Sequence, residues 1–464
     1  MSKSFFLRSL ARWPTCVSAG PFLFYSGQMG LDSTGQPLSS YAQVDGLGPG
    51  PGNAYDWVRR MEAPVGAQAI AIYERYGALF AEHGLDYGNL VRYHIFQRDK
   101  RSFPVFDRVR RHYESAPPAS TAVGVGRFEP SDTVRLNVDS IVYRGTGKRA
   151  QGRSVLQGSG KHATAAHFSH VIGAGPYLFL AGQIPIDTST PQSPLIRTYA
   201  DVPPEGRFLS VGRSHEDARN GPIAAQTWFT YDLIRKHLEG AGSSMTQVMN
   251  LIVYLQDMRD FPTFHRVHEH FFPDTAPALT VIEAGEVGHK GTLIEIEPTA
   301  ILPGKGVSLK ALAAPPGSCG GHMSAAVEAG GLTFLSGIPG VTPEGAPATT
   351  LRDLPAAWRR LAPASVEGKP GTSSFAQAVA VVAQLDARMK ALGSDLSRIV
   401  HLTVFVDDIE MFTKIAPMLE RAFGKQRPAL YAVEVARPAP IDGVSVSATA
   451  IAWTGADLPK RITG

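Results

Sequence analysis

The stretch Ala174-Gly175-Pro176-Tyr177-Leu178-Phe179-Leu180-Ala181-Gly182-Gln183 decides the fold, because the chain writes it three times. It stands earlier as Ala19-Gly20-Pro21-Phe22-Leu23-Phe24-Tyr25-Ser26-Gly27-Gln28 and later as Ala329-Gly330-Gly331-Leu332-Thr333-Phe334-Leu335-Ser336-Gly337-Ile338. Each copy is a short aromatic and aliphatic run with Gly or Pro before it and Gly after it. That pattern predicts a buried strand ending in a tight turn. The constant offset between Gly27, Gly182 and Gly337 is too long for a solenoid unit and matches a small domain. A chain of 464 residues holds about three domains at roughly 150 residues each.

Working outward, each copy predicts the same order. A second short segment follows the glycine, then a polar, Gly/Pro-rich insertion. Next comes a helix, expected over Val65–His83, Ile223–Leu238 and Phe375–Leu392. In the middle copy Ile223, Thr227, Thr230, Ile234 and Leu238 recur at helical spacing and mark one buried face. Gly84, Gly240 or Gly242, and Gly393 supply the helix stops. A strand follows, then a second helix near Phe103–Tyr113, Phe261–Phe272 and Met411–Phe423. Two strands close the unit, the first opened by Pro118-Ala119, Pro277-Ala278 or Pro428-Ala429. The expected class is α+β, three tandem β-β-α-β-α-β-β domains at 1–145, 160–303 and 318–455, each with its helices on one face of a sheet. Gly145–Gly160 and Pro303–Gly317 read as linkers.

Composition narrows the function. The net charge is only +4, and Lys and Arg are scattered rather than striped, so no nucleic-acid partner is expected. No apolar run approaches about 18 residues, so no membrane span is expected. The two cysteines, Cys16 and Cys319, lie far apart without ligand spacing, which fits a reducing, cytoplasmic setting and no bound metal. Residues 1–12 carry Arg, Ser and Phe without an acid, a faint transit-peptide composition, and read here as a leader into the first strand.

The middle copy carries Gly182-Gln183-Ile184-Pro185, then Asp260-Phe261-Pro262-Thr263-Phe264-His265, then Leu293-Ile294-Glu295-Ile296-Glu297. As a set, these motifs resemble the RidA (YjgF/YER057c/UK114) family, over nearly the whole chain and three times over. The resemblance implies single domains that elsewhere form homotrimers with a ligand cleft between neighbours, and hence a covalent pseudo-trimer here, alone or as a low-order oligomer. It implies hydrolysis of reactive imines or enamines without a cofactor. In the family an arginine directly after the Pro-Ala pair holds the substrate carboxylate, and the first Glu of the Glu-Ile-Glu strand positions water. This chain departs from that pattern. The arginine position reads Ser120, Leu279 and Leu430, and the first-Glu position reads Asn137, Glu295 and Ser445. The missing guanidinium predicts weak or absent turnover of ordinary 2-imino acids.

The candidate residues follow. Glu295 is the leading general base, and Glu297, on the same strand face, could flank the same site. His265 falls where the family has a polar cleft residue; its spacing from His268 allows a metal pair, but an amphipathic helix is the preferred reading and no metal is expected. His170 could titrate near neutrality, and Phe168 stands where a family aromatic packs on ligands. Gly182, Gln183, Ser120 and Asn137 complete the expected binding positions. The insertions hold Trp57 and Arg59, echoed by Trp358-Arg359-Arg360, with Arg207-Phe208 and Arg213 in the middle copy. They read either as a lid with an anion-binding rim or as arms that only brace neighbouring domains. Two function classes stay open. One is an enzyme acting on a small imine, enamine or carbonyl–amine adduct by hydrolysis, deamination or dehydration. The other is a non-catalytic module that binds a small molecule. A ribonuclease is disfavoured by the weak charge.

Overall fold

A computed structural model describes residues 12–44, 56–145, 167–274, 276–304, 306–314, 322–362 and 373–463, with the side chains of 56–60 outside the description. The first unit contains β1 (Cys16–Ala19), β2 (Phe22–Met29), α1 (Asp56–Ala81), β3 (Leu90–Gln97), α2 (Phe103–Tyr113), β4 (Ala119–Gly124) and β5 (Leu136–Tyr143). The second contains β6 (Val171–Ala174), β7 (Tyr177–Leu180), α3 (Ser214–Gly240), β8 (Val248–Leu255), α4 (Phe261–Phe271), β9 (Ala278–Glu283) and β10 (Ile294–Ile301). A linker strand β11 (Lys310–Ala313) precedes the third unit. That unit comprises β12 (Ser324–Ala329), β13 (Leu332–Pro339), α5 (Ser373–Ala391), β14 (Ile399–Val406), α6 (Phe412–Phe423), β15 (Ala429–Glu434) and β16 (Val446–Trp453). A last strand, β17 (Lys460–Ile462), ends the described chain.

The strand order is the same in each unit: β1-β2-β5-β3-β4, β6-β7-β10-β8-β9 and β12-β13-β16-β14-β15. The last two strands of each order are parallel. A parallel pair needs a crossover, and α2, α4 and α6 supply it. The hairpin glycines Gly20, Gly175 and Gly330 all adopt positive φ, which glycine alone accepts at no steric cost.

Both faces of each sheet are buried, which is why β3, β8 and β14 are buried at every residue rather than at alternating ones. The helices cover one face. The other faces meet one another in a single core that draws Phe22 and Phe24 from unit one, Tyr177 and Phe179 from unit two, and Leu332 and Phe334 from unit three. The ring closes through equivalent bonds at each junction. Gly126 N–H donates to Glu434 O at 2.9 Å, Glu286 N–H to Gly124 O at 3.3 Å, and Ala436 N–H to Glu283 O at 3.1 Å. β17 then pairs antiparallel with β1, so the end of unit three is tied to the edge of unit one.

Three expectations change. Helices α1 and α3 begin about nine residues before Val65 and Ile223, because the chain continues helically through Pro64 and Pro222 instead of starting after them. Part of the second linker is strand β11, paired to β12, and β17 lies beyond the expected end of the third unit at 455. The first-Glu position of unit three is Ser447, not Ser445. Ser447 faces Phe405 as Glu295 faces Tyr254 and Asn137 faces Phe96.

Where the sheets meet, one charged network links all three units. His94 Nδ1 lies 2.8 Å from Asp139, and its Nε2 lies 2.9 Å from Glu297. Arg92 pairs with Glu297 at 2.8 Å, and His401 with Asp139 at 3.2 Å. Glu297 therefore belongs to the core and does not share a site with Glu295. Burial alone would push His94 down, but the two carboxylates raise it to about 10. Because that value exceeds the ordinary 6.5, the stability from charged His94 is fully present below pH 6.5 and is lost as pH rises through about 10. Urea unfolding of His94→Gln against the parent should show the parent losing its advantage across that window; parallel profiles would contradict the assignment.

Candidate functional site

The ring has three junction clefts, and they differ. At the junction of units three and one, Tyr431 fills the space: its ring stacks on Phe96 with centroids 5.0 Å apart, and its hydroxyl donates to Asn137 O. A Cβ on Gly27 would lie 2.3 Å from that ring, so glycine is what admits the tyrosine. At the junction of units two and three, Leu279, Thr280, Met323 and Ser447 leave a void of about 20 Å³, too small for a substrate. At the junction of units one and two the same geometry leaves an open cavity of about 650 Å³.

Unit one lines this cavity with Lys100, Phe103, Asp107, Arg108, Arg111 and Ser120. Unit two adds Phe168, His170, Gly182, Gln183, His237 and Glu295. Gly182 is again a close-approach position, since a Cβ there would sit 2.2 Å from Glu295 Oε1. Gly182 N–H donates to Ser120 O at 3.2 Å, which locks the two walls together.

Glu295 is buried, with Gly288 N–H donating to its Oε2 at 3.2 Å. Burial pushes its carboxyl up to about 7, against the pull of the Lys100 ammonium. It is therefore poised to accept or donate a proton near neutrality. Lys100 enters from the turn before α2; its Nζ donates to Ala122 O, and burial pushes the amine below its usual range.

Ser120 takes the place of an arginine but has one directly behind it. Arg110 is fully buried in α2, and its Nη1 donates to Ser120 Oγ at 3.1 Å while its Nε donates to Asp107 at 2.7 Å. With Oγ accepting from a guanidinium, the Ser120 proton is free to point into the cavity. Burial opposes ionisation of Asp107, yet Arg110 and the His167 N–H donating at 3.0 Å hold it below the usual carboxylate range. His170 stacks on His237 with centroids 4.6 Å apart. Burial lowers both, His237 to about 3, so they present neutral imidazole faces beside Phe168.

The structure thus brings Glu295, His170, Phe168, Gly182, Gln183 and Ser120 around one cavity and separates the rest. His265 faces the next junction: its Nε2 accepts His322 N–H at 2.9 Å, occupying the position that Asp107 holds in unit one. It cannot share a cleft with Glu295, because each second helix faces the unit that follows it in the ring. His268 is no metal partner for it, since Tyr231 and His322 O engage both of its ring nitrogens at 2.8 and 2.9 Å. Asn137 lies at the junction filled by Tyr431. Of the insertions, Arg207 binds the carbonyl of Val202 within its own unit, and exposed Phe208 stacks on His270, so neither reaches the cavity. Trp57 and Arg59 fall in α1, with side chains outside the described residues.

Lys100, Arg110, Arg111, Phe103 and His237 were not anticipated. Lys100 had a legible signal. The matching residues are Met258 and Ile409, both buried and apolar, so a lysine there is a charge in an apolar column of the repeat.

A family model described as endoribonuclease L-PSP matches residues 209–302 and 314–453. A RutC family protein of Pyrococcus horikoshii is 34% identical over 133 residues, covering 29% of this chain and 85% of that protein. The 3-aminoacrylate deaminase RutC of Acinetobacter baylyi is 29% identical over 119 residues, 25% of this chain and 94% of its own. Among solved structures, the YjgF gene product of E. coli aligns at 22% identity with a TM-score of 0.25, covering 32% of this chain and 98% of that one.

Replacing the plug tests the contrast between clefts. Tyr431→Ala should cost about 3–5 kcal/mol, as large-to-small changes at buried aromatics do. The readout is the urea midpoint; a loss below about 1 kcal/mol would mean that the ring does not fill that junction.

Proposed function

The chain belongs to the endoribonuclease L-PSP (RidA) family, and from that premise we propose that its cavity deaminates a small organic acid bearing an imine or enamine group. The observation that carries this reading is that the open junction is the one holding Glu295, a buried carboxyl pushed up to about 7. The relative named as a 3-aminoacrylate deaminase supports the reaction class.

In this reading the substrate carboxylate meets the Ser120 hydroxyl, polarised by Arg110, at a rim where Arg108 pairs with Glu62 at 2.5 Å and Arg111 with Asp107 at 2.8 Å. Arg110 lies behind the serine, so its charge acts at longer range than a direct bidentate pair would. The family's carboxylate grip is weakened by the loss of a charged hydrogen bond worth about 1.5–3 kcal/mol. The planar imine lies against Phe103 on one side and Phe168 on the other. Glu295 acts as the base that draws a proton from the nucleophile as it bonds to the imine carbon, then returns that proton to the substrate nitrogen, whose bond to that carbon breaks as ammonia leaves. A cavity of about 650 Å³ lies mid-range for small-molecule sites, so the preferred substrate carries a ring or chain beyond three carbons.

The base must be ionised to act, so kcat/KM should rise as pH climbs through about 7 and level off above it. Glu295→Gln should lower turnover by about 10²–10⁴-fold and flatten that rise. The measurement is ammonia release from 3-aminoacrylate and from an aryl-substituted 2-imino acid generated in situ. Full activity of Glu295→Gln would remove Glu295 from the reaction. Tight binding without turnover would identify a binding module instead.

A further inference from the structure

We propose that Lys100 is the nucleophile of this cavity and carries the deamination through a covalent imine with the substrate carbon. The inference rests on the reading above and gives that reaction a chemical route.

Three observations support it. First, the lysine occurs only at the open junction. The equivalent residues in the other two units, Met258 and Ile409, are buried apolar side chains, so the fold asks for an apolar residue there. A lysine at such a place costs desolvation and needs another reason to be present. Second, the cavity gives it no carboxylate at contact distance. Among the described residues no ion pair holds its ammonium, and Glu286 accepts only its backbone N–H, at 2.7 Å. The groups facing it are Glu295 across the cavity, Glu286, His289, the buried Arg110 and the Phe103 ring at 5.1 Å. Arg110 and burial favour the free amine, and burial is the largest effect. Third, Nζ already donates one N–H to Ala122 O, which orients the amine at the cavity wall.

The chemistry balances with these groups alone. The free amine of Lys100 adds to the carbon of the substrate iminium, forming a C–N bond. Glu295 moves a proton from the lysine nitrogen to the substrate nitrogen, and the bond between the substrate carbon and its own nitrogen breaks to release ammonia. A lysyl imine remains. Water adds to it with Glu295 as base, the lysine C–N bond breaks, and the carbonyl product leaves with the amine restored. A desolvated amine is the form that such nucleophiles require. The competing role, a point charge that anchors a carboxylate, would be kept by arginine, whereas imine formation would not.

By reversibility, a carbonyl product must form the same adduct, so the test does not depend on turnover. The full chain is incubated with phenylpyruvate and cyanoborohydride, digested and mapped by mass spectrometry. The expected result is a reduced adduct on Lys100, in large excess over exposed lysines such as Lys310, Lys390 and Lys425. In Lys100→Arg and Lys100→Met the adduct should vanish, with equal melting temperatures showing that the chains are folded. Ammonia release should fall in both variants. Deamination by the parent with no Lys100 adduct, or turnover retained by Lys100→Arg, would overturn the inference while leaving the proposed reaction standing. An adduct without deamination would instead uphold the nucleophile and remove the proposed reaction.

Discussion

Everything in this molecule depends on a sheet face that a single unit cannot cover. The helices of each unit bury one face, and the other is just as apolar, with Phe22, Phe179 and Phe334 at its centre. Left in water, that face would forfeit roughly 25 cal/mol for every Å² of apolar surface. The units therefore close on one another, and writing them in one chain makes the closure intramolecular. The pairing of β17 with β1 and the repeated backbone bonds at the strand ends follow from that requirement.

Linkage in one chain also frees the three junctions from identity. In a homotrimer, any residue that fills one cleft fills all of them. Here Tyr431 closes one junction and Leu279 with Met323 nearly closes another, while the third has Ser120 at the position of Leu279 and Thr121 at the position of Tyr431. The charged network of His94, Asp139, Glu297, Arg92 and His401 diverged in the same way. It takes its members from all three units, yet no unit contains the whole set. It fixes which face of unit one meets which face of unit two.

Much of this was legible beforehand. The thrice-written strand, the helix-stopping glycines and the Pro-Ala openings give the order of elements, because each has a local physical cause. What failed was non-local. Glu295 and Glu297 share a strand face, but only the packing of unit one against unit two shows that one meets Arg92 and the other a cavity. His265 is a polar residue at the right motif position, but the direction of the ring decides that it faces unit three. The helices expected from Val65 and Ile223 begin about nine residues earlier, although proline usually breaks a helix, because the turns before Pro64 and Pro222 continue through them. Arg110 was invisible as the replacement for the missing arginine, since it reaches Ser120 from an adjacent helix rather than from the same strand. Lys100 could have been found by comparing the three copies column by column.

The central claim is that one junction of the three, between units one and two, is the working cleft. The direct measurement is calorimetric stoichiometry with phenylpyruvate, on the parent and on Ala122→Trp, which places a large ring inside that cavity. The account predicts a single ligand per chain for the parent and none for Ala122→Trp with the fold retained. Three ligands per chain, or binding that survives Ala122→Trp unchanged, would contradict it.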